Sequence, residues 1–268
     1  MLNLMMIHMK HIKNKSNISK ASLESWSVVG GIRNQYRVNG DARTYYEKNG
    51  EAYTNPHFSR LNEVLPGTLF DDIVVPKILV PIINAKKKTT NKGKDEDVDN
   101  FVRRSEETTT CFRVLDFCCG SGEFSQILLR WSKDVRQIAF AITAADPYTR
   151  EAFKKQKEFA NVECKPWSFK SVCEGCLEEE LGDEDFAYDI VAISYAIHLL
   201  QPSLEHLFYN ALAKRCRYLV IVSPTKNKGL IEKNKETKFG FKEIAYETKL
   251  KVHLRVFESL RRRAGGVR

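Results

Sequence analysis

Several features that would assign a chain to a class of protein are missing from this sequence of 268 residues. No run of about 18 apolar residues occurs, so the sequence predicts no transmembrane helix and no membrane partner. A secretory signal is also missing, so we expect the seven cysteines to be free thiols of a reducing compartment. Cys173 and Cys176 form a lone C-x-x-C without a second pair at metal-ligand spacing, and we therefore expect no metal site.

Acidic residues do not occur in residues 1–23, and no arginine occurs before Arg33. Mitochondrial targeting segments favour arginine, so we interpret this stretch as a disordered basic tail of a cytoplasmic protein, with mitochondrial targeting as the alternative. The formal net charge of +9 lies mostly at the two ends of the chain, while the middle is nearly neutral. The overall charge is therefore weak evidence for a nucleic-acid-binding surface on a catalytic face.

Composition divides the chain into five parts. We predict a basic tail over residues 1–40, an N-terminal helical cap segment over 41–85 and a low-complexity insertion, rich in Lys, Thr, Asp and Glu, over 86–110. The main domain follows over residues 111–260, and a second basic tail over 261–268 ends the chain.

Within the main domain, short apolar runs alternate with helical patterns. The alternation predicts an α/β fold with a doubly wound, mostly parallel sheet. Lys242–Leu250 and Val252–Ser259 alternate in polarity and predict a closing antiparallel strand pair at the sheet edge. The predicted parallel strands are Arg113–Phe117, Gln137–Ala144, Val162–Lys165, Asp189–Ser194 and Arg217–Ser223, and the predicted helices are Glu123–Ser132, Thr149–Phe159, Lys170–Leu181 and Ser203–Cys216.

The strongest local signal is a glycine-rich turn after the first predicted strand. An apolar run ends in Asp116, passes through Cys-Cys-Gly-Ser-Gly and enters a helix at Glu123. Glycines such as Gly120 and Gly122 allow a ligand to approach the backbone closely, and the helix start presents unpaired N–H groups. A dinucleotide site or a purely structural tight turn would also fit this pattern, although the G-x-G-x-x-G spacing of dehydrogenases is absent.

A second acid follows the next strand. Asp146 lies 30 residues after Asp116 and precedes Pro147. In nucleotide-binding α/β domains an acid at this place accepts hydrogen bonds from ribose hydroxyls. Taken alone, Asp146 fits better as a helix cap with Pro147 in the first turn.

These segments together resemble the class I S-adenosylmethionine-dependent methyltransferases, without identifying a subfamily. Leu115–Gly122 is similar to the first motif of that family, Asp146 to its second-strand acid and Trp167-Ser168-Phe169 to its third motif. Tyr188–His198 is similar to the fourth motif and Tyr218–Pro224 to the fifth strand. The resemblance implies a Rossmann-like fold and S-adenosylmethionine as cofactor. It implies cofactor contacts at Asp116, Cys118, Gly120, Gly122, Asp146, Pro147, Ser168, Phe169 and Ser194.

The chain departs from the family at Cys118, which occupies the position of the first glycine of the motif. A small residue other than glycine is accommodated there if its φ is negative. The departure weakens the motif slightly and leaves Gly120 and Gly122 intact.

In many such methyltransferases an N-terminal helix closes over the cofactor. By position, Tyr46, Tyr53 or His57 is expected to face the cofactor or substrate, and aromatic packing on the sheet is the alternative for each. His198 follows the fourth strand, where a neutral imidazole could accept a proton from a hydroxyl or amine. Its apolar neighbours favour a packed, hydrogen-bonded histidine instead.

The methyl acceptor is less well defined. The fourth strand lacks the Asn/Asp-Pro-Pro-Tyr/Phe signature of nucleobase amino methylation and the Pro-Cys of cytosine C5 methylation. The Lys-rich segment Lys226–Lys242 should lie on the ligand side of the sheet and is compatible with an anionic acceptor. RNA and a small molecule are therefore nearly equal expectations, and a cofactor-binding regulatory subunit without turnover is the alternative function.

Overall fold

The computed structural model describes five stretches of the chain. Met1–Tyr45 and Tyr46–Arg268 form separate compact units, and the first contributes only residues 42–45 to the described structure. The predicted basic tail over 1–40, the insertion and most of the Lys-rich segment before Lys242 lie outside the described residues. The described residues are 42–84, 110–134, 138–182, 186–224 and 239–261.

The segment before the sheet is helical. Helix α1 spans Ala42–Asn49, a 3₁₀ turn covers Gly50–Ala52 and helix α2 spans Phe58–Val64. Helix α2 continues into a π-type helix over Leu65–Leu79, whose side chains are largely buried. Within that helix, Phe70 packs on Trp131 with ring centroids 5.0 Å apart.

Seven strands form one mixed sheet in the order β3-β2-β1-β4-β5-β7-β6. Strands β1 to β5 are parallel, and β7 pairs antiparallel with β5 on one side and with β6 on the other. The α/β, Rossmann-like architecture with an antiparallel C-terminal pair is therefore confirmed. The strands are β1 Thr110–Phe117, β2 Ile138–Ala145, β3 Cys164–Lys165, β4 Tyr188–Ser194, β5 Cys216–Ser223, β6 Phe241–Lys249 and β7 Val252–Ser259.

The helices between the strands differ from the predictions mainly in length. The predicted helix Lys170–Leu181 is divided in two because Gly175 adopts φ 102°, a left-handed conformation that ends one helix before the next begins. The predicted helix Thr149–Phe159 contains only five α-helical residues, followed by a 3₁₀ turn at Lys157–Phe159. The helices are α3 Glu123–Asp134, α4 Arg150–Lys154, α5 Phe169–Cys173, α6 Cys176–Leu181 and α7 Glu205–Arg215.

The core occupies both faces of the sheet. Strands β4 and β5 are almost entirely buried, as expected for central parallel strands that carry apolar side chains in both directions. One face packs on α5 and α7 through residues such as Phe208, and the other packs on α3 and the π-type helix through residues such as Phe124. Among the described residues, no helix combines the length and apolar character that crossing a bilayer requires.

The outer edge of the hairpin is irregular. Between Glu243 and Ala245 the pairing with β7 shifts by one residue, which leaves Ile244 in a β-bulge. The ammonium group of Lys77, in the π-type helix, donates a 2.9 Å hydrogen bond to the Ile244 carbonyl. The helical segment therefore contacts the outermost strand of the sheet at its point of irregularity.

Candidate functional site

The order of the strands places a crevice between β1 and β4. From β1 the chain winds outward to β2 and β3, and from β4 it winds the other way to β5. Ligands of open α/β sheets bind at this switch point, outside the carboxyl ends of the strands. The register pairs Asp116 with Ala192 and Phe117 with Ile193, so Asp116 and Ser194 lie near each other at the crevice.

Asp116 is completely buried at the end of β1. Its Oδ2 accepts hydrogen bonds from Ser125 Oγ at 2.7 Å and Ser125 N at 3.3 Å. Its Oδ1 has no hydrogen-bond partner among the residues that the structure describes. Burial raises the pKa of Asp116 to about 7, and the negative charges of Glu123 and Asp146 add to that rise.

Ser194 repeats this pattern at the end of the neighbouring strand. Its Oγ is buried and likewise lacks a hydrogen-bond partner in the described part of the chain. Buried polar groups are normally satisfied, so two orphaned atoms on adjacent strand ends point to a polar ligand between them. Ser125, which orients Asp116, was not found by sequence analysis, since its small polar side chain in a helix carries no distinctive signal.

The glycine-rich turn adopts left-handed conformations at three alternate residues. The φ angles are 59° at Cys118, 60° at Gly120 and 93° at Gly122. The condition for accommodating Cys118 without strain, a negative φ, is not met: this position has the conformation that a glycine would adopt freely, and a side chain there costs roughly 1–2 kcal/mol. Hydrogen bonds from Cys118 N and the following backbone N–H to the Ala145 carbonyl, at 2.7 and 3.1 Å, hold the turn against β2.

The faces of both glycines are covered by side chains of the protein. A Cβ atom on Gly120 would lie 2.9 Å from Tyr53 and from Glu123. A Cβ atom on Gly122 would lie 2.5 Å from the ring of Phe159. The glycines therefore serve backbone conformation and close packing, and a direct approach of a ligand to either of them stays a prediction.

Asp146 does not cap helix α4, the alternative that the sequence left open, because the helix begins at Arg150 with Thr149 at its N-cap and no side-chain cap. It closes the turn that precedes the helix instead. Its Oδ1 accepts hydrogen bonds from Tyr148 N at 2.8 Å and Thr149 N at 2.9 Å, just before helix α4. Its Oδ2 lies 3.5 Å from Gly120 N and is the oxygen that could receive ribose hydroxyls. Only 7% of Asp146 is exposed, and this burial raises its pKa. Pro147 is half-buried beside it.

Residues 50–57, which we call the strap, cross this turn. Asn55 N donates a 3.0 Å hydrogen bond to Glu123 Oε1, and the same oxygen accepts a short hydrogen bond from Ser121 Oγ. Lys155 Nζ donates a 3.0 Å hydrogen bond to the Glu51 carbonyl. Glu123, interpreted from sequence only as an acid at a helix start, is thus the anchor of the strap, and burial raises its pKa.

Two tyrosines predicted as lid residues form an aromatic cluster at the strap. The rings of Tyr46 and Tyr53 lie 5.6 Å apart at 60°, and the ring of Tyr46 stacks on Tyr148 at 6.3 Å. Because Tyr148 follows Asp146 by two residues and Tyr53 covers Gly120, the cluster borders both halves of the predicted cofactor site.

The residues of the third motif have structural roles in this chain. Ser168 caps helix α5: its Oγ accepts from Ser171 N at 3.1 Å, and its own N–H donates to Ser171 Oγ at 2.8 Å. Phe169 packs on Phe117 and Phe208, with ring centroids 5.3 and 5.0 Å away. Cofactor contacts from Ser168 and Phe169 therefore stay predictions.

His198 lies on an exposed 3₁₀ turn, Ile197–Leu199, after β4. The interpretation of a packed core histidine, which its apolar neighbours favoured, was wrong because the turn directs those neighbours inward and this residue outward. A role as base stays a prediction. His57 instead contacts Tyr195, the first residue after β4, at 4.9 Å between ring centroids.

The cysteines are all unbridged. Cys173 ends α5 and Cys176 begins α6, while the sulfur atoms of Cys119 and Cys164 lie 3.9 Å apart in a buried contact. Within the described residues, no group of three or more His, Cys, Asp or Glu side chains is arranged to hold a metal ion.

Comparison with known proteins gives one curated relative and a set of structures with a related fold. No family model matches the chain. An uncharacterised protein of Schizosaccharomyces pombe is 28% identical over 137 residues, which cover 42% of this chain and 54% of that protein. The chain therefore matches about half the length of this relative.

Among solved structures, TehB from Haemophilus influenzae is 12% identical with a TM-score of 0.40, over 62% of this chain and 63% of its own. A magnesium protoporphyrin IX methyltransferase from Synechocystis, with bound S-adenosylmethionine, is 14% identical with a TM-score of 0.39, over 78% and 99%. A methyltransferase from Aquifex aeolicus is 16% identical with a TM-score of 0.39, over 60% and 88%. These likenesses concern the fold.

Proposed function

We propose that this protein binds S-adenosylmethionine at the switch point between β1 and β4 and transfers its methyl group to an acceptor. The observation that carries the proposal is the pair of buried, unpartnered polar atoms, Asp116 Oδ1 and Ser194 Oγ, on adjacent strand ends. The cofactor offers what such atoms lack, since it presents an ammonium and several hydroxyl groups. When bound, it supplies a methyl group on a positively charged sulfur atom.

The remaining residues of the crevice fit the same ligand. The carboxyl group of Asp116 has a pKa of about 7 in the fold. An ammonium group bound beside it would lower that pKa, so the carboxyl group would be ionised in the complex. Asp146 Oδ2 takes no part in the two hydrogen bonds that Oδ1 accepts in the turn, and it can accept hydrogen bonds from ribose hydroxyls. Tyr53, beside Gly120, and Tyr148, two residues after Asp146, both contact the ring of Tyr46 and add aromatic surface. The crevice therefore offers polar groups for the ammonium and ribose groups of the cofactor, with aromatic surface next to the turn.

Calorimetry with S-adenosylmethionine tests the proposal directly on the full chain. Ser194→Ala should weaken binding about three- to tenfold, because one hydrogen bond is worth roughly 0.5–1.5 kcal/mol. The same change should not lower the thermal midpoint, since it removes a buried hydroxyl that lacks a partner. Ser223→Ala, at the equivalent end of β5, is the matched control and should leave affinity unchanged.

Absence of cofactor binding by the wild-type protein would contradict the proposal. Binding without release of S-adenosylhomocysteine in the presence of candidate acceptors would instead favour a regulatory subunit without turnover. For the acceptor, an affinity for RNA that falls steeply with salt would favour RNA. Turnover on a small molecule in an enclosed pocket would favour the other candidate.

A further inference from the structure

A cluster of polar and aromatic side chains lies at the carboxyl end of β4, beside the proposed cofactor site. His57, at the end of the strap, contacts Tyr195 with ring centroids 4.9 Å apart at 33°. Tyr195 directly follows Ser194, whose buried hydroxyl has no hydrogen-bond partner among the described residues. The strap thus runs from Tyr53, over Gly120, to a histidine that lies against the first residue after β4.

The backbone of Tyr195 is held in an unfavourable conformation. Its φ of 58° is left-handed, which is uncommon for a bulky aromatic residue and costs roughly 1–2 kcal/mol. Its N–H donates a 2.8 Å hydrogen bond to the Val222 carbonyl of β5, which fixes the residue in place. Strained residues concentrate at functional sites, where the surrounding structure maintains a particular side-chain placement.

Arg60, three residues after His57 on helix α2, supplies the charge of the cluster. Its positive charge acts on both His57 and Tyr195. In the described part of the chain, Arg60 forms no ion pair with an acidic side chain. Burial, reinforced by Arg60, lowers the pKa of His57, so its imidazole is neutral near pH 7. Burial raises the pKa of Tyr195, which therefore stays a protonated phenol.

Resting on the methyltransferase function above, we propose that His57, Arg60 and Tyr195 form the acceptor site. The site takes a small molecule that carries an anionic group, a carboxylate or a phosphate, beside the hydroxyl or amine that is methylated. Arg60 binds the anionic group, and Tyr195 donates a hydrogen bond to the acceptor. His57, whose imidazole is neutral, accepts the proton that the acceptor loses.

In the reaction, a lone pair of the acceptor oxygen or nitrogen forms the new bond to the methyl carbon. The electron pair of the broken carbon–sulfur bond stays on sulfur, which becomes a neutral thioether. The acceptor's proton passes to the neutral imidazole of His57, which returns it to water after product release. A positioned base of this kind contributes typically 10²–10⁴-fold to rate.

The site is tested by following the titration of His57 by NMR in the full chain labelled with ¹⁵N-histidine. The protein has six histidines, so His57→Gln assigns the signal. Acetate and sulfate are the probes for a carboxylate and a phosphate, with sodium chloride at equal ionic strength as reference. We expect one of them to raise the pKa of His57 by about 0.5 or more, because an anion at Arg60 offsets its charge.

Arg60→Gln should abolish this response, whereas Arg130→Gln, in the nearby helix α3, should respond as the wild type does. No response in the wild-type protein, or the same response in Arg60→Gln, would overturn the proposal. A response to a ten-residue oligouridylate but to neither small anion would also overturn it and would favour RNA. The anion that acts distinguishes a carboxylate from a phosphate acceptor.

Cofactor affinity separates this inference from the proposed function. His57→Gln and Tyr195→Phe should bind S-adenosylmethionine within about threefold of the wild-type protein, since neither residue is assigned to the cofactor. If the wild-type protein does not bind the cofactor, the proposed function fails, while the anion titration still shows whether the cluster is an anion site. A tenfold loss of cofactor affinity in Tyr195→Phe would place that residue in the cofactor site and contradict its assignment here.

Discussion

Replacing Asp146 by asparagine and by alanine should separate its two roles. Oδ1 closes the turn before helix α4 by accepting hydrogen bonds from the N–H groups of Tyr148 and Thr149. Oδ2 is the oxygen left for a ribose. Asparagine retains one acceptor oxygen for the turn but places an amide N–H₂, a donor, where Oδ2 stood. Alanine removes both oxygens.

The magnitudes follow from these hydrogen bonds. Asp146→Ala leaves two backbone N–H groups without their acceptor in a largely buried turn, which costs roughly 2–4 kcal/mol in the free energy of unfolding. For a domain of this size we expect the thermal midpoint to fall by roughly 4–12 °C. Asp146→Asn should change the midpoint much less. Its loss of a charge-assisted hydrogen bond, worth roughly 1.5–3 kcal/mol, should weaken S-adenosylmethionine binding by about ten- to a hundredfold.

Differential scanning calorimetry gives the midpoints, and titration calorimetry gives the affinities. If Asp146→Asn folds normally and binds the cofactor as tightly as the wild-type protein does, Asp146 does not contact the ribose. If Asp146→Ala keeps the wild-type midpoint, the hydrogen bonds to Tyr148 and Thr149 contribute little, and Asp146 does not stabilise the turn.

Three further predictions concern stability and rate. The pKa of Asp116 is about 7 in the fold and about 4 in the unfolded chain. The neutral carboxyl group therefore contributes up to about 4 kcal/mol to the free energy of unfolding below pH 4, and this contribution is lost as pH rises through 7. In urea titrations the free energy of unfolding should fall less with rising pH in Asp116→Asn than in the wild-type protein, and an equal fall would contradict the assignment. Gly122→Ala should lower the free energy of unfolding by more than Gly175→Ala. Both glycines have a φ near 100°, but only a Cβ atom at position 122 would meet a neighbour, Phe159 at 2.5 Å. Equal decreases in the free energy of unfolding, measured by urea titration, would show that Phe159 moves aside without cost. His198→Ala should leave the thermal midpoint unchanged, since the side chain is exposed, and a normal turnover rate in that variant would exclude His198 as the base.

The fold could be predicted from sequence because its signals are local. Strand β7, at Val252–Ser259, has the predicted bounds, and strand β4 begins one residue before its predicted start. The errors occur where one backbone angle decides the outcome. Gly175 divides a helix that looked continuous, and Cys118 adopts a positive φ that sequence reasoning assigned to glycine alone.

The site could be predicted only in part because its contacts join distant segments. Asn55 and Glu123 are 68 residues apart and meet through one hydrogen bond. The contact of His57 with Tyr195 likewise joins the strap to the end of β4. Periodicity and motif spacing identify strand ends such as Asp116, but they carry no information on which loop crosses above them.

The bulge in strand β6 bears on whether the edge of the sheet can pair with a strand of another molecule. An outermost strand exposes unpaired backbone groups that can recruit a strand from another molecule, which is a common route to aggregation. Here the ladder is broken at Ile244, and its carbonyl is already bonded to Lys77. An incoming strand would meet a kinked template, an occupied acceptor and a positive charge. At the opposite edge, β3 contains only two residues, Cys164 and Lys165, too short a template for a stable pairing. Both borders of the sheet are thus poor seeds for fibril growth, even though its interior is rich in β-branched residues.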